Sequence, residues 1–177
     1  MVRLTRHFKD AQHTLSFALV LGYFGLLRVS NYLVYSEKLF DPSKHLMPSD
    51  IQIISGRVVV TLKWSKTRQN AEKTYVVLPT ISNNVLSPVK LYNNLVQATA
   101  LVMKQDRPLM LLPSGTPLTV NFFNRALKWL ALQVLGCSTG VGSHMLRRSG
   151  TTFMARAGAT DLQLMNHGTC TSDCFRT

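Results

Sequence analysis

Apolar positions recur along this chain at two periods. From Asp10 to Leu33, Leu15, Ala18, Leu19, Gly22 and Leu26 follow helical spacing, although the segment is apolar on nearly every side. The pattern predicts one buried helix over 10–33, with Arg28 toward its C-terminal end. After breaks at Asp41-Pro42 and Met47-Pro48-Ser49-Asp50 come three β-branched runs, IQII (51–54), GRVVVTLKW (56–64) and KTYVVLP (73–79). Gly56 and the polar stretch 65–72 separate them, which predicts a small antiparallel sheet of three strands.

Helical periods then return. Ser87-Pro88 reads as an N-cap with proline at the first helical position, and Leu91, Leu95, Ala98 and Val102 continue one face. A further helix is predicted from Thr119 to Leu135, with Phe122, Phe123, Ala126, Leu127, Leu130 and Val134 toward the core. Another runs from Ser143 to Ala157 and is closed by Gly158, since a glycine past the last turn takes the left-handed conformation at no steric cost. Thr160 with Gln163 three positions on forms a capping-box pattern for a last short helix. The fold class is α+β, mostly helical, with one small three-stranded antiparallel sheet. Without repeats or a long linker, residues 1–177 form a single domain.

Charge narrows the function. Twenty Lys and Arg against eight Asp and Glu give a net charge of +12 in 177 residues, so the expected partner is a polyanion. Double-stranded DNA is favoured over an anionic membrane, because the cations are spread through the whole sequence rather than along one amphipathic helix. The run TLSFALVLGYFGLL (14–27) is short for a span of ~20 apolar residues, lacks a small-residue cleavage site and ends on Arg28, so it reads as a buried helix. His167, Cys170 and Cys174 lack a fourth ligand and a partner pair, which makes them a weak metal motif, and no metal or cofactor is expected. Of the eight acidic residues, Glu37 and Asp41 are the pair close enough to face one side locally, so a two-metal nuclease is disfavoured.

The candidate chemistry lies in SHMLRRSGTTFMARAG (143–158). At i and i+3, His144 and Arg147 share a helix face from which Arg148 is rotated away. By themselves these cations fit either a solvated face or an anion grip. Upstream stands GLLRVSNYL (25–33), and between the two lies TLKWSKTRQ (61–69) on the predicted hairpin.

The ordered trio of LLRVSN, the hairpin lysine and HMLRRSG with its later HGT resembles the catalytic domain of tyrosine recombinases, the phage-integrase superfamily. Its wording is most similar to the recombinases of DIRS-type retroelements and Crypton elements. The resemblance runs from about residue 11 to residue 177. It implies DNA recombination and integration, in which a tyrosine hydroxyl attacks a DNA phosphate to give a phosphotyrosyl intermediate and a free 5′-hydroxyl. Two guanidinium forks can neutralise the phosphorane-like transition state without a metal, and Arg28 and Arg147 match those arginines. His144 matches the histidine that contacts the phosphate and manages the nucleophile's proton. Lys66 matches the hairpin lysine that protonates the leaving oxygen, with Lys63 as the alternative. Either His167 or Cys170 stands at the position that braces the phosphate.

Two departures qualify the resemblance. Many members carry an acidic residue where this chain has Asn31, so a carboxylate support for Arg28 is absent. The tyrosines are Tyr23, Tyr32, Tyr35, Tyr75 and Tyr92, and none follows His144, whereas members place the nucleophile about ten residues beyond the HG motif. Few residues precede Arg28, so the chain is expected to be a catalytic domain truncated at both ends, without the DNA-clamping domain and the nucleophile segment. The expectation is a nuclear protein that binds DNA but is inactive alone; the alternative is a non-catalytic DNA-binding remnant of a mobile element. Relatives act as tetramers on DNA, and the same assembly is doubtful for this chain.

Overall fold

The computed structural model describes residues 6–64, 73–81 and 85–167. After a single turn, α1 (Arg6–Lys9), the long apolar segment forms α2 (Gln12–Tyr23), and then the helix breaks. It resumes as a short α3 (Val29–Tyr32), so the single helix expected over 10–33 is two. The cause is local: Leu26 sits at φ 50, in the left-handed region, and Arg28 is extended at φ −70, ψ 139. A leucine there costs about 1–2 kcal/mol of backbone strain. Burying its side chain to 1% exposure offsets that cost.

The three expected strands are present as β1 (Ile51–Ile54), β2 (Arg57–Leu62) and β3 (Thr74–Val77), antiparallel in the order β1-β2-β3. Their register aligns Ile51 with Val60 and Val60 with Val76, so all three buried side chains form one row across the inner face. Period-two alternation does the work: Val58, Val60 and Leu62 point inward while the residues between them do not.

Helices α4 (Pro88–Thr99), α5 (Val120–Leu135), α6 (Ser143–Arg156) and α7 (Asp161–His167) complete the fold. Helix α2 packs against α4 on one side and α6 on another, and α4 also touches β2. That central position explains a segment apolar on nearly all sides, with Leu15, Phe17, Ala18, Val20 and Leu21 all in the core. Its one buried hydroxyl, on Thr14, donates to the Leu111 carbonyl at 2.7 Å.

Most helix boundaries follow the predicted signals, although α4 ends at Thr99, short of the Val102 expected to continue its face. Thr119 accepts from the Phe122 amide at 3.3 Å as a working N-cap, and Thr160 and Gln163 make both bonds of the capping box. Ser87 occupies the cap position of α4, but its hydroxyl caps nothing; proline at the first position starts that helix. Val134, expected in the core, is 63% exposed, because α5 runs past the body of the protein in its last turns and also exposes Leu132 and Leu135.

Candidate functional site

The turn after α2 sets Arg28. The Phe24 amide still bonds to Val20, Leu27 reaches back to the Leu21 carbonyl, and Arg28 then opens α3 as its N-cap residue. Arg28 is partly buried, with its Nη1 atom inside the protein.

Helix α6 presses on that same turn through Gly150. A methyl group on Gly150 would collide with the Tyr23 carbonyl and with Leu26, so the helix approaches to a distance that only a residue without Cβ allows. One turn earlier on α6 stands Arg147, 9% exposed, its Nη1 also buried. The two arginines therefore belong to elements in direct contact, although they are 119 positions apart. At the head of α6, the Ser143 amide donates to Oδ1 of Asn124 on α5 at 2.8 Å, a cap supplied by another helix that fixes the entry of α6 one residue before His144.

His144 is exposed and does not turn inward with Arg147. It lines a groove of about 570 Å³ together with Arg148, Ser149, Thr152, Phe153 and Arg156. The face shared by His144 and Arg147 in the sequence is thus the edge of α6: the arginine lies at its buried side and the histidine at its open side. Arg148, expected to point away, shares the groove with His144.

His167 ends α7 half-buried, and its Nε2 lies 2.7 Å from the Phe24 carbonyl, to which an Nε2–H donates. It is therefore tied to the turn that leads into Arg28. It also lines an apolar cavity of about 480 Å³ with Phe24, Val77, Leu86 and Met154. Lys66 and Cys170 lie outside the described residues.

Lys63, the alternative to Lys66, is engaged elsewhere. Its ammonium is 2.6 Å from Oδ2 of Asp50, whose carboxylate also accepts from the Met47 amide at 2.8 Å. Asn31 has a role that sequence reasoning missed. Its amide Nδ2 donates to the Trp64 carbonyl at 3.0 Å, while its own carbonyl accepts from the Leu46 amide. Asn31 is 4% exposed, so it binds α3 to the end of β2 from a buried position. A carboxylate could not donate that bond. The motif gave no sign of it, because Trp64 is 33 residues away. Gly150 did leave a signal: an isolated glycine inside a helical pattern usually has a packing reason.

Of the tyrosines, Tyr32 is 2% exposed, and burial pushes its hydroxyl pKa well above the ordinary value. Burial also raises that of Tyr92, whose ring packs on Phe17. Among the described residues no three His, Cys, Asp or Glu side chains converge to hold a metal, and no helix is long and apolar enough to cross a membrane.

No protein-family model and no curated protein sequence matches the chain. Solved structures do. The XerH site-specific recombinase bound to its difH substrate in a pre-cleavage complex is similar over 97% of this chain and 42% of its own, at 15% identity and a TM-score of 0.70. The XerA recombinase matches over 97% of this chain and 57% of its own, at 16% identity and TM-score 0.62. A Flpe W330F mutant in a DNA Holliday junction complex matches over 95% and 41%, at 17% identity and TM-score 0.59. This chain spans less than half the length of the first of these. With its helices grouped around a three-stranded antiparallel sheet, the chain has the fold of the tyrosine recombinase catalytic domain.

Proposed function

We propose that this chain is the phosphate-gripping part of a DNA strand-exchange enzyme, in which Arg28 and Arg147 clamp a backbone phosphate. The observation that carries the reading is the contact of α6, through Gly150, with the turn leading into Arg28, which puts two arginines, each with its Nη1 atom buried, on abutting elements. Planar forks held by packing lose little freedom when they meet a phosphate, and each can present two N–H donors to it at once. His144, at the open edge of the same helix, is the proton-handling group. Lys66 is the acid for the leaving 5′-oxygen, on the segment that follows the Lys63–Asp50 and Trp64–Asn31 anchors. His167 braces the Arg28 turn through Phe24 rather than meeting the phosphate itself. The fold shared with recombinases solved on DNA supports the partner, double-stranded DNA, as does the net charge of +12.

The chemistry is phosphotyrosyl exchange. With no tyrosine after His144 in the sequence, the 177 residues bind DNA and do not cut it. A second reading keeps the same DNA-binding surface without the reaction, as a DNA-binding remnant of a mobile element. Origin in such an element and work in the nucleus belong to both readings, and tetrameric assembly of this chain is not part of either.

The test is duplex binding by fluorescence anisotropy, with a nicked suicide substrate to trap covalent adducts. Arg147→Ala is expected to weaken duplex affinity about 10-fold or more, the worth of a charged hydrogen bond. Arg147→Lys recovers part of this, and thermal melts establish that both variants fold. Unchanged affinity in Arg28→Ala and Arg147→Ala would remove the clamp; a covalent adduct formed by the unmodified chain would refute the absence of a nucleophile.

A further inference from the structure

The open face of α6 carries more than His144. His144, Arg148, Thr152 and Arg156 recur every fourth residue, which sets them in one row along the helix. All four are exposed, and all line the groove of about 570 Å³. Helix α6 contains no acidic residue, so nothing along its own length offsets the two guanidinium groups. Beside the row lies an aromatic wall. Phe153 is 55% exposed, and its ring is 6.1 Å from that of Tyr23, which also lines the groove.

We propose that this groove is a binding site for a short single strand of nucleic acid, next to the Arg28–Arg147 clamp and sharing His144 with it. The phosphates follow Arg148 and Arg156, and Ser149 offers a hydroxyl donor between them, whereas the Thr152 hydroxyl donates to the Arg148 carbonyl at 3.0 Å. Arg148 and Arg156 are eight residues apart, about 12 Å along the helix, a span of three to four stacked nucleotides. One base stacks on the exposed Phe153 ring. A solvent-facing aromatic beside a row of cations suits unpaired bases, because every base has a π-face to offer, whereas a duplex keeps its bases stacked inside. At Gly140 and Gly142 the backbone lines the groove without side chains, which leaves the end near His144 open. The proposal rests on the nucleic-acid part of the functional reading and not on its reaction. It gives that reaction a place for the strand set free when its backbone is cut.

The test compares a short fluorescein-labelled single-stranded oligonucleotide of mixed sequence with a duplex of the same sequence, binding to the 177-residue chain by anisotropy over a range of salt. Phe153→Ala is expected to weaken single-strand binding about fivefold or more and to leave duplex binding within about twofold. In Arg148→Gln/Arg156→Gln, the slope of log affinity against log salt for the single strand should fall by about 1.4, the share of two phosphate contacts. These residues are exposed, and circular dichroism melts check that the variants keep the fold. Arg147→Ala should lose duplex affinity and keep the single strand. Duplex binding without single-strand binding would overturn the groove and spare the clamp; binding to neither would overturn both readings. An equal loss of single strand and duplex in Phe153→Ala also overturns the proposal. So does competition by polyglutamate as effective as that by the oligonucleotide, since it would show a groove selecting acidic charge and not bases.

Discussion

Gly150 holds two opposed tendencies in one residue. Replacing a helix-interior glycine by alanine ordinarily gains about 1 kcal/mol, because glycine has more backbone freedom to lose on folding. Here the added methyl would meet the Tyr23 carbonyl, which is backbone and cannot swing aside. Overpacking of this kind costs about 1–3 kcal/mol or more, so the clash wins. Gly150→Ala should lower the unfolding free energy in urea titrations, and weaken duplex binding further than that loss explains, because the shift of α6 carries Arg147 with it. A second residue tunes stability through pH. His45 is half-buried, and desolvation holds its pKa below the ordinary value of 6.5, with Asp41 in contact at its Nδ1. The unfolded chain therefore takes up a proton before the folded one does. Stability is full above about pH 6.5 and declines as pH falls below it. Thermal midpoints measured downward from neutrality should fall, and His45→Gln should flatten the slope.

At the scale of elements, the end of β2 is pinned twice. Lys63 is paired with Asp50 below the start of β1, and the Trp64 carbonyl takes the Asn31 amide from α3. Neither partner could be read from local pattern, since the contacts span 13 and 33 positions of sequence. Asn31→Asp would exchange a donor for a carboxylate facing a carbonyl oxygen in a buried place. Denaturant melts should show a loss of about 1–3 kcal/mol, although the exchange restores the acidic residue of the family pattern. The strands and most helix ends were legible because their signals are local: alternation in β2, the threonine cap of α5, the capping box of α7. The break after α2 was not, because a leucine and not a glycine takes the left-handed position, and nothing in an all-apolar run announces that. The site was legible in part. HMLR placed His144 and Arg147 on one helix, but which edge each would occupy depended on how α6 packs on α2. That packing also brought Arg148 back beside His144.

For the whole molecule, the excess of twelve positive charges acts on every anionic partner at once. Binding driven by phosphate contacts releases counterions, so log affinity for duplex DNA should fall linearly with log salt, by about 0.9 for each phosphate neutralised. A slope near zero in filter-binding or anisotropy titrations would show that the charge is spread without a footprint. The fold gives the charge a direction: α2 is enclosed between α4 and α6, and Arg28, Arg147 and His167 lie on elements that meet at the end of α2.

That meeting has a consequence in time. Tyr23 and Gly150 are 127 positions apart, and their contact closes one of the longest loops in the chain. Local helices and the hairpin can form before it; the elements that carry the two arginines meet only when α6 seats itself against the end of α2. Closing distant segments is slow because chain entropy must be surrendered before any contact repays it. A half-folded chain would therefore carry all of its charge without the contact that sets α6 against the turn leading into Arg28. Under the proposed clamp, discrimination of one phosphate from the others would rest on that single long-range contact.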